Sequence, residues 1–312
     1  MQRIITLLLV MILLSPAGYA QRKKKKDKNK EATEAPEKKK NDSPFKPYGE
    51  IVTGEAVTDE GLFTVHKVED NYYFEIPDSL LEREILVISR ISGTVENLNF
   101  GGAGMKARGQ QVIRWQRKDN RLLLRSVSHN SVASEEQPIY ESVRNNNFEP
   151  VVATFDIKAL GTDSASYVID VADLFTSDVE MIGALSDNQR KEFQVRGVDK
   201  KRSLIVSWKS FPLNTEVRHI LTYNAGNPPA NGNTGTLSIE MNQSMVLLPK
   251  DPMTPRLYDE RVGFFSVSQI DYGLDEQKAK ERRYITRWKL EPSDVEAYER
   301  GELVEPVKQI VY

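Results

Sequence analysis

The chain has 312 residues, a formal net charge of −2, 39% hydrophobic and 8% aromatic residues, and no cysteine. That length and composition suit one large or two modest globular domains, and they exclude a disulfide scaffold and a chain too polar to bury a core. The near-neutral total hides a split: residues 21–44 hold ten Lys or Arg against five Asp or Glu, so the remainder is acidic and nucleic-acid binding, which needs a concentrated basic face, is disfavoured.

Residues 1–20, MQRIITLLLVMILLSPAGYA, begin with Arg3, continue through an apolar run from Ile4 to Leu14 and end in small residues at Gly18 and Ala20. The run is too short to span a bilayer as a permanent helix and matches an export signal cleaved after Ala20. With no cysteine after that point, a lipid anchor on an N-terminal cysteine is excluded. The expected location is therefore outside the cytoplasmic membrane: periplasmic, outer-membrane-associated or extracellular. Residues 21–46 are expected to form a disordered basic linker, a solvated spacer with at most weak attraction to anionic envelope surfaces.

From Pro47 onward the sequence reads as strand after strand. LFTVHKV (62–68) and YYFEI (72–76) flank a hairpin-type EDN, PDSLLERE gives a helical turn, and ILVISRIS (85–92) suits a central strand. QQVIRWQR (110–117) and RLLLRSVS (121–128) flank KDN, and PVVATFDIKAL (150–160) and SYVIDVADLF (166–175) surround GTDSA. RSLIVSWKSF (202–211), EVRHILTYN (216–224) and GTLSIEMNQSMVLLP (235–249) complete the antiparallel candidates. Short helices are expected at SDNQRKEF (186–193) and at PSDVEAYERG (292–301), the latter capped by Ser293 and closed by Gly301. The fold class that follows is mainly β: an antiparallel β-rich platform, a sandwich or large twisted sheets, with few short helices. The domain plan is a small N-terminal β domain over 47–92, a larger β-rich domain over 93–290, and a junction over 291–312.

The chemical motifs are weak. His66, His129 and His219 are scattered and none stands in H-E-x-x-H, so no catalytic zinc is legible and no cofactor is expected in this chain. GAGMKA (102–107) has the G-x-G-x-x-A form of a dinucleotide loop, but it leads into a strand instead of a helix, which removes the phosphate site. Gly101, Gly102 and Gly104 therefore read as a glycine-rich loop suited to close approach of a partner backbone. The acidic DYGLDEQ (271–277) lacks calcium-loop spacing. The segment 250–273 combines prolines, Arg256, Asp259 and Arg261 with VGFF, where Gly263 beside Phe264 suggests backbone meeting backbone and the arginines suit bidentate pairing with carboxylates.

Several long phrases, in order, bring a family into view. GLFTVHKVEDNYYFEIPDSLLEREILVISRIS (61–92), NFGGAGMKARGQQVIRW (99–115), PRLYDERVGFFSV (255–267), RRYITRWKLEPSD (282–294) and EPVKQIVY (305–312) resemble the region preceding the catalytic domain in a family of exported bacterial zinc-dependent metalloproteases. The resemblance implies two successive N-terminal domains of unknown function, followed by a protease domain whose H-E-x-x-H helix binds zinc. No such helix occurs here, so the resemblance carries over no catalytic or metal-binding residue. It implies a non-catalytic accessory region, with zinc only in the absent catalytic domain and KQIVY as that domain's first strand. The implied partner is that domain, with Arg256, Asp259, Arg261, Gly263, Phe264 and the loop at Gly101, Gly102 and Gly104 as docking candidates. The competing expectation is a free-standing β-sandwich that binds glycan or protein at the cell surface, and it predicts aromatic residues grouped in a groove away from both termini. The accessory reading predicts an exposed apolar patch near the C-terminus.

Overall fold

The computed structural model describes residues 43–98, 102–275 and 278–310. The expected signal, most of the basic linker and Gly101 lie outside the described residues. The first elements are helix α1 (Tyr48–Ile51) and strands β1 (Val57–Asp59), β2 (Thr64–Val68), β3 (Asn71–Pro77) and β4 (Glu84–Gly93). They are followed by β5 (Gln111–Lys118), β6 (Arg121–Val127), β7 (Ser131–Val132), α2 (Tyr140–Asn146), β8 (Val151–Leu160) and β9 (Ser166–Asp170). Next come α3 (Ala172–Thr176), α4 (Asp187–Glu192), β10 (Val195–Val198), β11 (Leu204–Phe211), β12 (Asn214–Ala225) and β13 (Thr236–Leu247). Strands β14 (Ser266–Asp271) and β15 (Lys280–Ile285) and helix α5 (Val295–Glu299) complete the described chain.

The protein is mainly β. Twelve strands form one antiparallel sheet in the order β1-β2-β3-β9-β8-β6-β5-β4-β13-β12-β10, and β11 also pairs with β12. This sheet curls until its two ends nearly meet. Leu62 N–H donates to the Phe211 carbonyl at 2.7 Å, and Ser210 bridges both ends, donating from Oγ to the Phe63 carbonyl at 2.6 Å and from N–H to Asp59 Oδ2 at 3.0 Å. Gly61 sits in this seam because a Cβ there would lie 2.5 Å from the Phe211 nitrogen. Near closure ties the β1–β2 end of the sheet to β11 and leaves less open edge than a flat sheet of this size would expose.

Alternation along the strands fills the inside. In β4, Ile85, Val87, Ser89 and Ile91 point inward, while Leu86 and Ile88 are only partly covered on the outer face. Trp115 is fully buried and meets Phe63 edge-on at 6.3 Å and Phe155 at 5.5 Å. The segment SYVIDVADLF does not stay extended. The strand stops at Asp170, whose Oδ1 accepts from the Ala172 N–H at 3.0 Å, and α3 turns Phe175 into the barrel, where it packs on Phe74 and His219. Glu69 and Asp119, both with φ above +50°, turn the β2–β3 and β5–β6 hairpins at the expected places.

A polar bar crosses the buried face. Ser89 on β4 donates to Gln243 Oε1 at 2.5 Å, and the Gln243 amide donates to His219 Nε2 at 3.0 Å and to the Ile182 carbonyl at 3.2 Å. All three side chains are essentially buried. This bar ties the connection after α3 to the sheet through Gln243 and the Ile182 carbonyl.

Helix α4 forms as expected, with Ser186 and Gln189 in a reciprocal capping box. Helix α5 is capped by Asp294 instead of Ser293: the aspartate accepts from the Ala297 N–H at 2.9 Å, and Gly301 takes a positive φ after the helix. Residues 47–92 and 93–290 do not make separate sheets. Strand β3 pairs with β9, and β4 lies between β5 and β13.

Candidate docking surface

The remaining strands form a second, three-stranded sheet in the order β15-β14-β7. Strand β7 enters it from the barrel and runs parallel to β14, while β15 is antiparallel. The chain reaches this sheet by two routes that meet at the start of β4. After β13, the Leu248 N–H donates to the Glu84 carbonyl at 3.0 Å, and Arg83 donates to the Leu248 carbonyl at 2.9 Å. After β6, His129 Nε2 lies 3.0 Å from Glu84 Oε2, and Arg114 reaches Glu84, Glu149 and Glu82 at 3.3, 3.4 and 3.7 Å. The hydrogen bond to His129 holds the Glu84 carboxyl below its ordinary range, and the same bond lifts the His129 imidazole above its own. Beside this joint runs a crevice of about 660 Å³, walled by Leu248, Pro249, Pro252 and Met253 on one side and by Arg83 and Glu84 on the other.

What distinguishes the arm from residue 250 onward is the placement of its apolar side chains. Of the twenty-three exposed large hydrophobic residues among those described, fourteen lie between Leu257 and Ile310. In the same stretch only Ala297 belongs to the buried set. Phe265 is 89% exposed and Trp288 68% exposed. A three-stranded sheet needs one covered face for independent stability, and here that cover is not supplied by the arm itself. The backbone is nonetheless ordered by local bonds. Thr286 N–H donates to the Phe265 carbonyl at 2.8 Å, Arg287 to the Thr254 carbonyl at 2.7 Å, and Arg283 stacks 3.8 Å from the Tyr258 ring.

The residues singled out from sequence are only partly brought together. Arg261 makes its bidentate pair with Asp259 in its own loop, at 2.6 and 2.9 Å, and is 88% exposed. The Arg256 carbonyl accepts from Ile285 N–H at 3.0 Å. Phe264 is half exposed. Gly263 meets no backbone: a Cβ there would find open space, so no close approach within the described chain requires the glycine.

The loop with Gly102 and Gly104 lies along the far half of β4. Gly104 N–H donates to the Ile91 carbonyl at 2.7 Å and Ile91 N–H to the Met105 carbonyl at 2.9 Å. Positive φ at Gly102 and Gly104 permits this turn. Arg90, which donates to the Gly104 carbonyl, is six residues along β4 from Glu84, or about 20 Å, so the loop and the arm do not form one patch. The segment expected to open a buried strand, EPVKQI, stays irregular through Ile310. Pro306 makes a single bridge to Pro292, and Val307 is 62% exposed.

The histidines support folding contacts. His66 is buried between Thr58 Oγ1 at 2.9 Å and Glu75 Oε2 at 3.0 Å, and Glu75 also accepts from the Tyr48 and Ser166 hydroxyls. His66 hydrogen bonding draws the Glu75 carboxyl down, while burial and then Glu75 push the Tyr48 phenol well above its ordinary range. The hydroxyl–imidazole–carboxylate order resembles a nucleophile relay. However, Thr58 stands on an exposed edge strand and none of the clefts described here includes it. His219 belongs to the polar bar. Among the described residues, no group of three His, Cys, Asp or Glu could hold a metal ion, and no helix is long and apolar enough to cross a membrane.

Sequence reasoning singled out the VGFF element as a place for backbone contact and did not single out Trp288, because no periodicity marks either as surface. Their signal was large apolar side chains inside a segment dense in proline and charge. The chain matches no curated protein and no solved structure. Residues 45–94 match the domain of unknown function DUF5118. Residues 104–293, more than half the chain, match the domain of unknown function DUF5117, and the chain belongs to that family.

Proposed function

We propose that this chain is a non-catalytic accessory region of an exported zinc-dependent metalloprotease and that its C-terminal arm docks on the catalytic domain. The observation that carries the proposal is the inverted arm, with fourteen exposed large hydrophobic residues against one buried alanine. So dense a run of exposed apolar side chains in one segment supports an interaction site. Export is supported by the charge and hydropathy pattern of residues 1–20. The protease partner is supported by the ordered phrases from Gly61 to Tyr312, and zinc belongs to that partner alone.

The test places a photo-crosslinking amino acid at position 265 or 288 in the native host and, as a control, at exposed position 57. The expected result is a crosslink from 265 and 288, absent from 57, to a polypeptide segment bearing H-E-x-x-H. Made as separate polypeptides, this chain and that segment are expected to co-purify, and Phe265→Asp with Trp288→Asp is expected to abolish that co-purification while leaving the melting temperature of this chain unchanged. Crosslinks to unrelated proteins alone, or co-purification that survives both substitutions, would defeat the proposal.

A further inference from the structure

A second surface lies on the outer face of the barrel, and none of the residues lining it belongs to the arm. The chain between β7 and β8 folds back over β5 and β6 and encloses a cleft of about 540 Å³. Inward positions of these strands carry Ile113, Trp115, Leu122 and Leu124, so Arg114, Gln116 and Arg125 point outward and form the cleft floor. Tyr140 and Arg144 on α2 and Phe148 beyond it make the wall.

Phe148 is 72% exposed, yet it is held in place. The Arg125 guanidinium stacks 5.0 Å from the ring centroid and is fixed by Gln116 Oε1 and the Glu149 carbonyl, each at 2.7 Å. One ring face is thereby covered by a cation and the other is presented to solvent. A large apolar ring exposed on a fixed mount is the arrangement that a stacking ligand requires.

Around the ring stand polar groups with unused bonding capacity. Tyr140 donates to Glu135 at 3.2 Å, which leaves further lone pairs on the Glu135 carboxylate. Arg144 lies 5.9 Å from the Tyr140 ring and has no carboxylate partner among the described residues. The Asn145 side-chain amide is likewise without a partner among them. Charge in the cleft cancels, since Arg114, Arg125 and Arg144 face Glu82, Glu135 and Glu149. A polyanion would meet three carboxylates, and a polycation three guanidiniums. The complement is a neutral ligand with an apolar C–H face and adjacent hydroxyls, which planar guanidinium, amide and carboxylate groups bind in pairs.

We propose that this cleft is a binding site for a neutral oligosaccharide, with a pyranose ring stacked on Phe148 and its hydroxyls bonded by Glu135, Arg144 and Asn145. The site stands whether or not the arm docks on a partner, because the two share no residue. The test applies the full chain, fluorescently labelled, to an array of neutral and charged glycans, followed by calorimetric titration with the neutral glycan bound best. The expected result is saturable binding of at least one neutral glycan, weakened about tenfold by Phe148→Ala and by Arg144→Gln. Both residues are exposed, so both variants are expected to keep the wild-type melting temperature. Absence of binding to every neutral glycan, binding confined to charged glycans, or binding indifferent to both substitutions would overturn the proposal.

Discussion

In the barrel core, acidification should act on this fold through His219. Its ring is fully buried, and its Nε2 accepts from the Gln243 amide at 3.0 Å. The Nδ1–H faces the Phe175 carbonyl but falls short of ordinary hydrogen-bond geometry. Protonating Nε2 would set a donor against a donor at a ring closed to bulk solvent. Burial accordingly pulls the imidazole down from 6.5 to about 4. In the unfolded chain the same ring titrates near 6.5, so between pH 6.5 and 4 the unfolded state binds the extra proton. Stability therefore falls as the pH falls through that window, at about 1.4 kcal/mol per unit, and the loss levels off near 3 kcal/mol below pH 4.

The assay is urea unfolding of the wild type and His219→Gln from pH 7.5 to pH 4. Glutamine can accept from Gln243 and does not titrate, and subtracting the two curves cancels carboxylates such as Glu75 and Glu84, which behave alike in both proteins. The variant is expected to be the less stable protein at pH 7.5 and to gain about 3 kcal/mol on the wild type by pH 4. A difference that stays flat across the window would refute the account of a neutral, desolvated imidazole.

Other perturbations follow from the same packing. Trp115→Ala should cost about 3–5 kcal/mol in urea unfolding, because the ring is fully enclosed between Phe63 and Phe155. Gly61→Ala should cost about 1–3 kcal/mol by forcing the seam apart, whereas Gly263→Ala should be neutral; thermal melts of the two variants check the contrast. His129 has the opposite sign to His219. Its pairing with Glu84 raises its affinity for a proton, so the pair stabilises fully below pH 6.5 and fades as the pH rises through the higher folded value. Because the pair is half exposed, His129→Ala should cost less than about 1 kcal/mol at pH 5.5 and nothing by pH 9, with faster amide exchange at Ser131 and Val132 at the lower pH.

The strands were legible because alternation and turn chemistry agree in this chain. ILVISRIS, QQVIRWQR and GTLSIEMNQSMVLLP each carry buried residues at every second place, apolar except for Ser89 and Gln243, and EDN and KDN mark the reversals. Strand order was not legible, since β3 with β9 and β4 with β13 are pairings between distant segments that no local pattern encodes. Nor was α3: VADLF reads as a strand continuation until Asp170 caps the turn and the barrel offers Phe175 a place. Strands β14 and β15 were hidden by composition, because SVSQID and KERRYI lack a buried face. An exposed apolar patch near the C-terminus was expected, but which residues form it emerged only with their neighbours in place. Arg261 was read as suited to bidentate pairing with a carboxylate, and the carboxylate it meets in this chain is Asp259 of its own loop.

The position of β4 between β5 and β13 bears on how the chain comes to be folded at all. Ile91 pairs with Met241 and Ile85 with Leu247, so during synthesis β4 is complete long before the strand that covers it exists. Closing so large a loop is slow, and until it closes one side of β4 stays a bare edge. The segment matching DUF5118 ends with β4 at residue 94, so the boundary between the two matched families cuts a strand away from both of its neighbours. Inheritance divides this protein at a point where folding has to join it, and neither half, made alone, would hold the other's hydrogen bonds.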